Sequence, residues 1–172
     1  WVKNLVLIIG FIFAFFYNKT LIINYYNLIF SFLILCLSAS SNYLINEYLD
    51  RNTDKYHPIK KIRTFVKLKD KNDTRSIILK YFILVFISIT CSYFINKTFF
   101  ILNIIFIFFG VLYNLKPLRL KDVFLIDVIL ESANNPLRFL MGWSVLLPEF
   151  YPPSSIILFF WFSGCFLMTM KR

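Results

Sequence analysis

Long apolar runs alternate along this chain with short polar segments. Six runs are long enough to cross a bilayer or nearly so: residues 2–17, 21–48, 76–95, 98–113, 123–145 and 154–170. The first and fourth are short, and the fifth is interrupted by polar residues. Pro117, Pro136, Pro148, Pro152 and Pro153 punctuate loops or kinks. The pattern predicts an all-α, polytopic transmembrane helix bundle of about six spans. It shows no internal repeat and no low-complexity linker.

Composition excludes the soluble alternative. The chain is 59% hydrophobic with 22 Phe and four Gly among 172 residues, more apolar side chain than a core of this size can hide. Cys36, Cys91 and Cys165 all lie inside apolar runs at no metal or redox spacing, so they read as small buried hydrophobes.

The net charge of +10 would suit nucleic acid, but its distribution argues against that partner. The cations sit in short segments between apolar runs. Residues 51–75 hold Arg51, Lys55, Lys60, Lys61, Arg63, Lys67, Lys69, Lys71 and Arg75. A second group is Lys116, Arg119 and Lys121; Lys3 precedes the first run, and Lys171 and Arg172 follow the last. The alternate connections carry only Lys19 and Lys97. With six spans the basic segments fall on one side, as the positive-inside rule requires, so both ends are expected to be cytoplasmic. The expected organisation is one transmembrane domain over residues 1–172 with a basic cytoplasmic loop at 49–75. A start at Trp1 and a stop just after an apolar run lead us to expect a fragment cut at both ends.

Residues 46–63 read "NEYLDRNTDKYHPIKKIR" and raise a question of chemistry. Asn46, Asp50 and Asp54 recur every four residues, which on a helix places them on nearly one face about 6 Å apart along the axis. Glu47 lies beside them. Carboxylates at this spacing repel, and a cation relieves the repulsion. Mg²⁺ takes carboxylate, phosphate and water oxygens. His57, Lys60, Lys61 and Arg63 follow as donors for phosphate. The spacing therefore fits a platform for a metal-bound phosphate or diphosphate. The competing reading is an ordinary juxtamembrane face with its charges in water.

Inside the fifth run lie Asp127, Glu131, Asn134 and Arg138. At about 100° per residue they share one stripe, and Asn135 falls off it by about 80°. Ionisable residues facing lipid are costly, so the stripe is expected to face the bundle interior or a wet cavity. The plainer reading is an internal ion pair of Arg138 with Glu131 or Asp127 that only fixes packing. Asp127 and the Asn46–Asp54 array both lie near the basic end of their spans. They can meet at one cavity suited to a ligand with a phosphate head and an apolar tail.

These motifs resemble the UbiA superfamily of intramembrane prenyltransferases. "NEYLDRNTD" is similar to that family's Asn-Asp-x-x-Asp-x-x-x-Asp signature, with Glu47 where Asp is usual. "WVKN" at residues 1–4, "HPIKKIRT" at 57–64 and "YNLKPLRLKD" at 113–122, followed by Asp127, Arg138 and Gly142, resemble the decaprenyl-phosphate phosphoribosyltransferase-like members. Thr64 stands where their Pro is usual. The resemblance covers essentially the whole chain. It implies the first two-thirds of a nine-span fold, with the family's second acidic motif opening where this chain stops.

The resemblance also implies roles. Asn46, Glu47, Asp50 and Asp54 would hold Mg²⁺; Asp50, Asp54 and Asp127 would be catalytic. His57, Lys60, Lys61, Arg63, Lys116, Lys121 and Arg138 would bind substrate. The expected activity is a Mg²⁺-dependent transferase of a bacterial-type plasma membrane, its site facing the cytoplasm, acting on a polyprenyl phosphate or diphosphate lipid. One version transfers phosphoribose from phosphoribosyl diphosphate to polyprenyl phosphate. Another transfers the prenyl group of a polyprenyl diphosphate to an aromatic or other small acceptor. A transporter or channel subunit is the non-enzymatic alternative: it accounts for the intramembrane stripe but less well for the ladder at the water boundary.

Overall fold

The structure is a computed structural model that describes residues 2–18, 25–67 and 71–170. Trp1, Lys19, the start of the second run at 21–24, Lys69 and the terminal Lys171 and Arg172 lie outside the described residues. Six α-helices follow in order: α1 Val6–Tyr17, α2 Tyr25–Asp54, α3 Lys71–Tyr93, α4 Lys97–Asn114, α5 Ile126–Leu146 and α6 Ser154–Thr169. The described residues contain no strand. Each helix overlies one of the six apolar runs. Tyr25–Asp54, Thr74–Tyr93 and Lys97–Asn114 are long and apolar enough to cross a membrane by length and composition, while Val2–Tyr17 and Ser154–Thr169 are shorter apolar helices.

The helix ends differ from the apolar boundaries for local reasons. Residues 46–54 contain neither Gly nor Pro, so α2 continues past its apolar part and carries the acidic ladder as helix. The basic stretch at 49–75 is accordingly helical at both ends. Helix α4 opens at Asn96, whose side chain accepts from the Phe99 amide at 2.7 Å and caps the first turn. Helix α5 starts three residues into its run, because residues 120–122 form a 3-10 turn and Leu125 adopts a positive φ of 66°.

Helix α5 is the hub, packing on α1, α2, α4 and α6, while α2 also packs on α3 and α4. The α1–α5 crossing is backbone against backbone. A Cβ on Gly10 would overlap the Phe139 carbonyl oxygen, and one on Gly142 would overlap that of Leu7. Such small-residue crossings gain packing where lipid removes the hydrophobic drive for helix association. Ser38, Ser88 and Asn103, all fully buried, tie α2, α3 and α4 together. Ser38 Oγ donates to Asn103 Oδ1 at 2.6 Å, and Asn103 Nδ2 donates to Ser88 Oγ at 2.9 Å. The outward faces are aromatic instead, with Phe82 and Phe86 of α3 and Phe159, Phe162 and Phe166 of α6 exposed.

Candidate functional site

A cavity of about 880 Å³ lies between α2, α4 and α5. Helix α2 lines it with Asn42, Asn46 and Glu47, α4 with Phe106, Gly110, Tyr113 and Asn114, and α5 with Glu131, Asn134 and Arg138. The N-terminal 3-10 turn Val2–Leu5 adds Lys3 and Asn4. A Cβ on Gly110 would overlap the Asn42 side chain, so this glycine makes room for the amide that donates to the Phe106 carbonyl at 3.1 Å.

The ladder forms as the spacing predicts, but its carboxylates are paired with the chain's own cations. Lys121 Nζ sits where three oxygens converge: Asn46 Oδ1 at 3.0 Å, Asp50 Oδ1 at 2.5 Å and Asn114 Oδ1 at 3.1 Å. Arg119 adds a contact to Asp50 Oδ1 at 3.1 Å and holds Asp122 at 2.8 Å. Its φ of 32° is in the left-handed region, which costs a non-glycine residue about 1–3 kcal/mol. Asp54, 4% exposed, is held by Arg63 at 2.8 Å. Burial works against the Arg63 charge. The Asp54 hydrogen bond and field, with Tyr43 and Glu47 adding, outweigh it and raise the Arg63 pKa.

Among the described residues no three His, Cys, Asp or Glu side chains gather to hold a metal. The donor set that does converge is oxygen only, and it already surrounds a cation, the Lys121 ammonium. A hard, oxygen-seeking ion such as Mg²⁺ fits that chemistry. Asn46 and Asp50 would hold it directly once Lys121 turns away, and Asp54 lies one turn further along the same face.

The α5 stripe faces inward. Glu131, Asn134 and Arg138 line the cavity, and Asp127 is buried but is not among the lining residues. The internal ion pair does not form. Arg138 Nε donates to Asn4 Oδ1 at 3.1 Å, and Nη1 donates to the Asn134 carbonyl at 3.1 Å and to Asn135 Oδ1 at 3.5 Å. Its guanidinium lies over the Phe106 ring, 5.0 Å from the centroid. Among the described residues no carboxylate comes within salt-bridge distance of it. Glu131 is held at 3.0 Å by Lys3 instead. Arg138 is 8% exposed, so its charge is buried against neutral acceptors alone.

The remaining expected substrate contacts fall elsewhere. His57 Nδ1 accepts from the Ile59 and Lys60 amides, both at 3.2 Å, so this atom shapes the turn. Lys60, Lys61 and Lys116 are exposed and do not line the cavity. Sequence reasoning missed Asn4, Asn42, Asn114 and Arg119 as site residues. Asn114 had a signal, a polar residue closing an apolar helix just before a basic segment. Asn4 had none beyond its place in "WVKN".

A sequence model of the UbiA prenyltransferase family matches residues 6–171. Among curated protein sequences none matches significantly. The fold is similar to that of a UbiA homologue from Archaeoglobus fulgidus. With the structure of that homologue bound to DMAPP and Mg²⁺, the TM-score is 0.79 at 20% identity over 94% of this chain and 55% of the other. With the structure bound to GPP and Mg²⁺, it is 0.76 at 19% identity over 95% and 56%. The chain thus spans about half the length of the structures it matches.

Proposed function

This chain belongs to the UbiA prenyltransferase family, and from that premise we propose that it is a Mg²⁺-dependent integral membrane transferase acting on a polyprenyl phosphate or diphosphate. The observation that carries the reading is the convergence of Asn46, Asp50 and Asn114 oxygens on one cation beside a largely apolar cavity. The prenyl diphosphates and Mg²⁺ bound by the A. fulgidus homologue support it. The basic side of the bundle is the cytoplasmic one in this reading, in a bacterial-type plasma membrane.

Asn46 and Asp50 would hold the metal directly, with Asp54 one turn further along the same face and Glu47 at the cavity wall beside them. A Mg²⁺ ion held there would supply charge neutralisation for a diphosphate leaving group as its C–O bond breaks. Lys121, Arg119 and Arg63 are the cations the ladder releases, and each then donates to phosphate oxygens. The apolar walls exclude water from the reacting carbon and take the isoprenoid.

Two versions share this core. In prenyl transfer, the allylic carbon of a polyprenyl diphosphate is attacked by a small acceptor. In phosphoribosyl transfer, a polyprenyl phosphate attacks the anomeric carbon of phosphoribosyl diphosphate. Arg138 favours the second. Its partner Asn4 also donates to Cys36 Sγ at 3.3 Å, which puts it near the level of Cys36 on α2. Asn46 is ten residues beyond Cys36 on α2, so the guanidinium and the ladder meet the cavity at different levels of that helix. A donor with two anionic ends matches two separated polar regions better than a donor with one.

The test is turnover by the whole protein in lipid with Mg²⁺. One arm offers polyprenyl phosphate with labelled phosphoribosyl diphosphate. The other offers labelled polyprenyl diphosphate with acceptors. No turnover in either arm, together with ion flux in liposomes, would replace the enzyme by a channel or transporter.

A further inference from the structure

Glu131 and Arg138 line the same cavity on the same helix, seven residues apart. Two turns of helix separate them, about 10.5 Å along the axis, within the combined reach of the two long side chains. Each is held instead by one of two consecutive residues near the start of the chain. Lys3 Nζ holds Glu131 Oε1 at 3.0 Å, and Asn4 Oδ1 accepts from Arg138 Nε at 3.1 Å. Asn4 is 1% exposed and anchored on its other side to Cys36 of α2, so the 3-10 turn is pinned against both helices.

We propose that Lys3 and Asn4 are positioning residues that keep Arg138 available as an anion receptor in the cavity, Lys3 by occupying Glu131 and Asn4 by orienting the guanidinium. The proposal rests on the reading of Arg138 as a substrate contact. A buried guanidinium carries a desolvation cost that a carboxylate partner would normally offset. Here the acceptors are an Asn side chain, a backbone carbonyl and an aromatic face, all uncharged, and a second Asn oxygen lies at the edge of contact. The complement is an oxyanion brought by the ligand, a phosphate ester or a diphosphate. Without Lys3, the freed Glu131 carboxylate competes for the guanidinium and repels that oxyanion.

Calorimetric binding to the whole protein in nanodiscs, with Mg²⁺ and either geranyl diphosphate or phosphoribosyl diphosphate, tests this. Lys3→Met is expected to weaken binding of the recognised diphosphate about tenfold. Lys3→Arg is expected to retain it. Adding Glu131→Gln to Lys3→Met is expected to restore affinity to within about threefold of the native value. Asn4→Leu is expected to weaken binding without rescue by Glu131→Gln, because its lost acceptor is a different one. A weakening confined to phosphoribosyl diphosphate assigns the oxyanion to that donor, and one confined to geranyl diphosphate assigns it to the prenyl donor. Unchanged affinity in Lys3→Met, or no rescue by Glu131→Gln, overturns the proposal. If Arg138→Gln itself binds like the native protein, the reading of Arg138 falls first, whatever Lys3→Met does.

Discussion

Lys121 Nζ lies 2.5 Å from Asp50 Oδ1, joining the basic turn after α4 to the middle rung of the α2 ladder. Asp50 also takes Arg119, so one carboxylate holds two cations. A site built this way is charge-balanced before substrate arrives, and its cations are those a diphosphate would need. Asp50→Asn removes the charge that organises both. Turnover is expected to fall on the order of 10²–10³-fold, measured as Mg²⁺-dependent product formation at saturating substrate. Native activity in this variant would remove Asp50 from the metal platform.

Arg63→Met should act on stability as well as on substrate. It leaves the Asp54 carboxylate, 4% exposed, without its 2.8 Å partner. Breaking a buried pair costs about 3–5 kcal/mol, and the quarter-exposed Arg63 side chain places this one lower, near 2 kcal/mol. The expected readout is a lower unfolding midpoint in detergent. A midpoint equal to that of the native protein would show that water already screens the pair.

The α1–α5 crossing should tolerate no side chain at Gly142. A Cβ there would overlap the Leu7 carbonyl oxygen, and a helix backbone has no rotamer with which to yield. Gly142→Val should separate the helices, lower the unfolding midpoint and shift the α5 stripe that carries Arg138. Native thermal stability in this variant would mean that the crossing is looser than the geometry shows.

The Ser38–Ser88–Asn103 cluster offers a contrast, because none of the three side chains lines the cavity. Asn103→Leu removes the amide that accepts from Ser38 and donates to Ser88, leaving the two hydroxyls to each other and to the Ile34 carbonyl. The expected cost is about 1–2 kcal/mol of unfolding free energy. Substrate KM should stay within twofold of native, and a large change in KM would tie this cluster to the site.

Much of this was legible in the sequence for definite reasons. A run of apolar residues long enough to cross lipid must satisfy its backbone internally, and a helix is the simplest way to do so. The six runs therefore mark six helices, and the four-residue spacing of Asn46, Asp50 and Asp54 gives their shared face. The stripe of Glu131, Asn134 and Arg138 follows from the same periodicity, and the cost of a bare charge in hydrocarbon turns it inward.

Periodicity along one helix reports a face and says nothing of what stands across from it. That Glu131 pairs with Lys3 and leaves Arg138 to Asn4 was decided by how α1 crosses α5, since the partners are 128 and 134 residues apart. The same holds for Asp50, whose cations come from 69 and 71 residues away. Asn4, Asn42 and Asn114 carry no charge pattern to betray them, and they became site residues only when three helices enclosed a cavity. The sequence alone determined the helices, the polar faces and the kinds of chemistry available. Tertiary packing decided which charge answers which, because several partners of suitable sign exist and only distance selects among them.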